Sequence, residues 1–186
     1  MRTKTDHRFV IELDPDQVMD ALLMVEQLPD WSPSHQDVRV ATRDDQGRPR
    51  RVYVSANLMG RSDRQVVEYD CGDHRIAWKV LESSAGGGGK GWFELTEIED
   101  GATEVWYHAE VYLPIPAPGM IMKRTQRREG ETMIANFVAF VEAVTGIEGL
   151  GEVEEAPYVE EVGYEPPAVA PQRAHRPNFE PGFGTA

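Results

Sequence analysis

The sequence predicts an α+β fold, a curved antiparallel β-sheet wrapped around a long C-terminal α-helix, followed by a Pro/Glu-rich tail. Three observations carry that reading. Between residues 38 and 113, apolar and polar residues alternate in short segments separated by turn formers, the pattern of half-buried strands. The separators are shorter than the dozen or so residues a parallel crossover needs, so neighbouring strands are antiparallel. Before and after this region, apolar residues recur at three- and four-residue steps, as they do on the buried face of a helix.

Each element has its own signal. Residues 8–12 form a short β-prone run, ended by Asp14-Pro15. Asp14 suits a helix N-cap and Pro15 the first helical position, where a missing N–H costs nothing. Val18, Leu22, Val25 and Leu28 then predict one helix face, with Pro29 ending it and Asp30-Trp31-Ser32-Pro33 as a turn or very short second helix. Strands are predicted at 38–42, 51–58, 65–69, 75–81, 91–98 and 103–113. Pro114, Pro116 and Pro118 break the last of these, and a long helix is predicted over residues 119–145. Its apolar face is read as Met122, Met133, Phe137, Phe140 and Val144, with Gln126 and Glu129 continuing the stripe. Gly130 inside that helix costs about 1 kcal/mol relative to Ala and marks a kink or a close approach.

Composition bounds the rest. The chain has 186 residues and a net charge of −13, which divides unevenly. The 40 residues after Gly146 hold eight Glu, two Arg and six of the 13 Pro, a net of −6, and the body keeps −7. We therefore expect a domain at 1–146 and an acidic tail at 147–186. The tail has too little apolar surface to offset its ordering entropy, so it is expected to be disordered, or docked on a surface through aromatics such as Tyr158 and Phe179. A pI near 4.8 argues against a nucleic-acid binder. Lone Cys71 excludes an internal disulfide framework and a multi-cysteine zinc site. No apolar run reaches the length of a leader or a membrane span, which predicts a soluble, cytoplasmic protein without stable membrane insertion.

Catalytic signatures are weak. The glycines at 86–89 precede Lys90, but a phosphate-binding loop would need Gly at position 84, which is Ser84, and a helix after the lysine, where Gly91 opens a strand. A flexible hairpin loop near a cavity mouth is the better account. The histidines lack metal-ligand spacing, and no nucleophile elbow is present, so neither metal nor cofactor is expected.

The order of elements, with Asp14-Pro15 opening the first helix, Leu28-Pro29-Asp30-Trp31 after it, residues 95–98, the 101–105 hairpin and Pro114 before the last helix, resembles the START-like, Bet v 1-like SRPBCC superfamily near its polyketide cyclase/dehydrase branch. The resemblance covers residues 5–146. It implies the helix-grip fold and a pocket for an apolar or amphipathic small molecule such as a lipid, polyketide or aromatic.

Alternation assigns Thr103, Val105, Tyr107, Ala109, Val111 and Leu113 to the inner face of the last strand. The residues expected at the ligand are Trp31, Tyr53, Trp78, Phe93, Tyr107, Gln126, Glu129, Met133 and Phe137. The strand phase around Trp78 is open, since Ile76, Trp78 and Val80 form the more apolar alternate set. Trp92, Trp106 and Tyr112 fall on the outer face, where they predict tail docking or a homodimer, or merely a shielded surface. Lys123, Arg124, Arg127 and Arg128 form a basic cluster, read first as a solvated helix face. The rival to a binding module is a cyclase- or dehydratase-like enzyme using acid/base groups from Tyr53, Tyr107, Glu129 and His35, though no spacing singles out a catalytic pair. A third reading is a regulatory interaction module acting through the outer aromatics and the tail.

Overall fold

The computed structural model of the chain describes residues 2–58, 60–98, 101–114 and 119–150, with side chains at all of these except 58, 119–124 and 126. Among the described residues the order is β1 (Arg2–Ile11), α1 (Pro15–Leu23), a single 3-10 turn (Val25–Gln27), α2 (Leu28–Trp31), β2 (His35–Arg43), β3 (Pro49–Leu58), β4 (Arg61–Cys71), β5 (Arg75–Ser83), β6 (Gly88–Glu97), β7 (Thr103–Tyr112) and α3 (Gly119–Thr145). The strands form one antiparallel sheet in the order β1-β7-β6-β5-β4-β3-β2. Register shifts in β2 against β3, and between Val66 and Val67 of β4, place bulges where the sheet bends.

β1 begins six residues before the predicted run. Its early residues carry little β propensity, but the strand pairs along its whole length with β7, from Arg2 opposite Tyr112 to Ile11 opposite Thr103. Lys4 reaches Glu110 at 3.1 Å and Arg8 reaches Glu104 at 3.7 Å on the outer face, while Thr3, Phe9 and Ile11 are buried on the inner one. Charge alternation therefore serves as strand patterning once the partner strand is present.

α1 starts as its sequence predicts, with Asp14 accepting from the Asp16 N–H at 2.9 Å and Pro15 in the first turn. It ends earlier, at Leu23, and the chain tightens through the 3-10 turn before α2. Pro29 lies in the first turn of α2, where its ring is tolerated, rather than terminating a longer helix.

The 27 residues of α3 span roughly 40 Å. Among its described side chains Ile134, Phe137, Val138, Phe140 and Val141 are buried, so Phe137 and Phe140 lie inside as predicted, whereas Val144 is 41% exposed and Met122 lies outside the described residues. Gly130 is a close approach: a Cβ there would collide with the His7 ring. After α3 the chain stays on the domain. Leu150 is 2% exposed, its carbonyl oxygen accepts from the Glu12 N–H at 2.9 Å, and Glu142 accepts from the N–H groups of Gly149 and Leu150. Residues 149 and 150, which the sequence assigns to the tail, thus pack on the domain. The tail beyond Leu150 lies outside the described residues.

Candidate functional site

The inner face of the sheet is set by strand parity. Val52, Val54 and Ala56 of β3, Val67 of β4, Ile76 of β5, Phe93 and Leu95 of β6, and Val105 and Ala109 of β7 are all buried. Between this face and the helices lies a cavity of about 450 Å³. That volume is in the range of small-molecule sites, roughly 300–1,000 Å³.

The aromatic wall is centred on Trp78. Trp78 pairs with Gly91, and Gly91 with Ala109 on the next strand. A Cβ at Gly91 would strike both the Trp78 ring and the His108 carbonyl oxygen, so glycine leaves the space into which the indole lies across neighbouring strands. Trp78 stacks on Tyr107 at 6.0 Å and 14°, and packs against Phe93 at 5.7 Å. Trp31, from α2, meets Phe93 edge-on at 6.3 Å and Phe137 at 4.9 Å. Met133 and Glu129 complete the wall from α3.

Of the residues expected at a ligand, Trp31, Trp78, Phe93, Tyr107, Glu129 and Met133 line this one cavity. Trp78 shares its face with Ile76 and Val80, which settles the strand phase there. Phe137 is 1% exposed and lies behind the wall, packed on Trp31 and Phe93. Tyr53 does not belong with the set. Its neighbours Val52 and Val54 occupy the inner face, so Tyr53 points outward and is 52% exposed. The Gln126 side chain lies outside the described residues.

Polar groups gather at two places on the wall. Tyr107 and Glu129 line the cavity together. Burial, and then the charge of Glu129, push the Tyr107 hydroxyl above its ordinary range. Solvent reaches Glu129, yet partial desolvation holds its carboxyl above the usual value, as expected at the rim of an apolar opening. The second place surrounds His35, where β2 begins. Ser32 Oγ lies 2.7 Å from His35 Nδ1 and Ser34 Oγ lies 3.3 Å from it. Burial lowers the His35 pKa to about 4, so the ring is neutral near neutral pH. Gln65 joins the same cavity, its Nε2 donating to Asp63 Oδ2 at 2.8 Å. Ser32, Ser34, Gln65 and Tyr69 of the wall were not singled out by sequence. The alternation of Gln65, Val67 and Tyr69 held the signal for two of them.

Asp63 governs the glycine-rich segment. It is fully buried and accepts from Ser83 Oγ at 2.8 Å, Ser84 Oγ at 3.0 Å and the Ala85 N–H at 2.9 Å, besides Gln65. Burial pushes its pKa up, but these hydrogen bonds outweigh that and hold the carboxyl below its usual range. The expected flexible loop is therefore a fastened turn, and Gly88 and Gly89 already belong to β6 and line the cavity.

On the outer face, Trp92 and Trp106 pack edge-to-face at 4.7 Å, with Arg75 over Trp92 at 5.1 Å and Arg8 over Trp106 at 4.4 Å. These indoles are half-buried under partners from their own sheet, and Tyr112 is 47% exposed. In the basic cluster, Arg127 donates to Glu131 at 2.8 Å, Arg128 is exposed, and the side chains of Lys123 and Arg124 lie outside the described residues. No group of metal-ligating side chains occurs among the described residues, and no described helix is long and apolar enough to cross a membrane.

The same architecture recurs in solved structures. A START superfamily protein from Mycobacterium smegmatis superposes with a TM-score of 0.68 at 15% identity, covering 76% of this chain and 98% of its own. The Zhui aromatase/cyclase from Streptomyces sp. R1128 gives 0.63 at 13% identity, covering 78% and 96%. A protein from Thermus thermophilus gives 0.63 at 18% identity, covering 77% and 99%. At these identities the likeness concerns the fold. No curated protein matches the sequence. The family model described as polyketide cyclase / dehydrase and lipid transport matches residues 2–142, and the chain belongs to that family, built on the START-like helix-grip fold.

Proposed function

We propose that the chain binds a hydrophobic or amphipathic small molecule in the cavity between the sheet and the C-terminal helix. The observation that carries this reading is a cavity of about 450 Å³ walled by Trp31, Trp78, Phe93, Tyr107 and Met133 and continuous with the buried core. Each 100 Å² of apolar ligand surface buried there contributes roughly 2.5 kcal/mol. The compartment proposed is the cytoplasm, in keeping with a lone thiol. Native mass spectrometry of the protein purified from its source should reveal a co-purifying apolar molecule. With Nile red as probe, the wild type should bind, and Met133→Trp, which narrows the cavity from the α3 side, should bind markedly more weakly. Equal dye binding by both would remove the reading.

A second reading, a cyclase- or dehydratase-like enzyme, is favoured by one observation. Tyr107 and Glu129 line the same cavity, both with raised pKa values, so each holds its proton more readily than usual. Such groups move protons while the cavity holds a polyketone chain in a reactive pose, and positioning would supply much of the acceleration. Turnover of a polyketone, abolished by Tyr107→Phe and by Glu129→Gln with folding intact, would establish it. Turnover unaffected by both would sink it.

A further inference from the structure

Among the described residues, Lys90 is the one cation in the cavity lining, and the other polar groups are neutral donors and acceptors or carboxylates. No Arg lines the cavity among the described residues, and although Lys90 contributes to the wall, its side chain is 61% exposed and its ammonium lies 3.8 Å from Glu110. The cavity's described acidic groups are Glu110 and Glu129. A carboxylate entering this space would lose its hydration without gaining an ion pair, which is costly in an apolar setting.

A neutral oxygen meets a different environment. The hydroxyls of Ser32 and Ser34 have no hydrogen-bond partner other than His35 Nδ1 among the described residues. The arrangement that gives the buried Ser32 hydroxyl hydrogen an acceptor makes Nδ1 the lone-pair nitrogen and puts the ring proton on Nε2. Nε2 is neither hydrogen-bonded nor sealed off by packing, and His35 lines the cavity, so this N–H opens onto it. Gln65 is oriented in the complementary sense. Because the ionised Asp63 can only accept, the amide nitrogen faces it, and Oε1 is left as the acceptor of a residue that lines the cavity.

We propose that the cavity selects neutral oxygen-bearing hydrophobic molecules over their carboxylate counterparts, with His35 Nε2–H recognising a carbonyl or hydroxyl oxygen and Gln65 Oε1 recognising a hydroxyl proton. This rests on the cavity being a ligand site, and it names the class of ligand. Hydrogen-bonding groups left unpaired by an analogue that lacks the oxygen discriminate against that analogue, whereas apolar walls alone do not.

The test compares acetylnaphthalene, ethylnaphthalene and naphthoate by calorimetry on the full chain near neutral pH. The ketone should bind roughly tenfold more tightly than the ethyl compound, and naphthoate at least tenfold more weakly than the ketone. In His35→Phe the ketone should fall to the affinity of ethylnaphthalene, which itself stays within about twofold, while His35→Gln keeps part of the difference. Naphthylethanol should lose affinity in Gln65→Leu more than the ketone does. Should a variant fail to fold, the wild-type ranking still decides, as does nitrogen NMR of the wild type, where the ketone but not ethylnaphthalene should shift the His35 Nε2 resonance. Naphthoate binding as tightly as the ketone, or a ketone preference that survives His35→Phe, would overturn the inference and leave the cavity reading intact. If ethylnaphthalene and the ketone both fail to bind the wild type, the cavity reading falls and this inference with it.

Discussion

Gly91 and His35 show how single residues set this cavity. At Gly91 the added methyl of Gly91→Ala meets a backbone oxygen as well as the Trp78 ring, so side-chain adjustment alone cannot relieve it. The expected cost is about 1–3 kcal/mol in urea unfolding, with Trp78 displaced and Nile red binding weakened. Stability within about 0.5 kcal/mol of wild type would show that the strands separate easily. His35 makes a prediction about pH. Its folded pKa of about 4 lies below the ordinary 6.5, so between those values the unfolded chain binds the extra proton. Stability is therefore complete above about pH 6.5 and declines as pH falls toward 4, by roughly 3 kcal/mol from this group. In His35→Gln that acid-limb loss should shrink, and an unchanged pH profile would mean that the imidazole is not held neutral by burial.

Among the elements, the turn between β5 and β6 depends on one carboxylate at the end of β4. Asp63→Ala leaves the hydroxyls of Ser83 and Ser84 and the N–H of Ala85 without their acceptor, an expected loss of roughly 1–3 kcal/mol. Amide exchange should speed up over residues 83–87 before it does so in the sheet, and uniform acceleration would count against a local fastening. The sign with pH follows from the lowered pKa: the stabilisation is complete above the ordinary carboxylate value and is lost as acid protonates Asp63. Nothing in the spacing of Asp63, Ser83 and Ser84 exposes this arrangement in the sequence, because the groups meet only after β4 and β5 pair. The same reasoning separates what was legible from what was not. Alternation placed Phe93 and Tyr107 on the inner face correctly, since period-two patterning needs no knowledge of partners. It missed the first half of β1, whose charged residues become a strand through pairing with β7. Tyr53 does not reach the cavity because it stands between the inward-facing Val52 and Val54, a phase that the alternation of β3 carries.

At the scale of the whole described domain, the segment that follows α3 packs back onto the sheet. Gly146, at φ 70°, lets the chain leave α3 while its N–H bonds to the Glu142 carbonyl oxygen, and Gly149, at φ 80°, turns it again. Both angles lie where residues with a Cβ are strained, so the path is specified locally. The path carries Leu150 into the core and joins it to Glu12, just after β1, while Glu142 holds two N–H groups of the segment. One short strap thus ties the edge strand β1 to the helix that covers the sheet. Leu150→Ala in the full chain should cost roughly 2–5 kcal/mol, whereas Ile147→Ala, at a residue 42% exposed, should stay within about 0.5 kcal/mol. Glu142→Ala should cost less than Leu150→Ala, and the double variant less than the sum, because both changes loosen the same segment. Strict additivity would mean that the carboxylate and the leucine act independently. Leu150→Ala at wild-type stability would return the domain boundary to Gly146, the place where composition alone had drawn it.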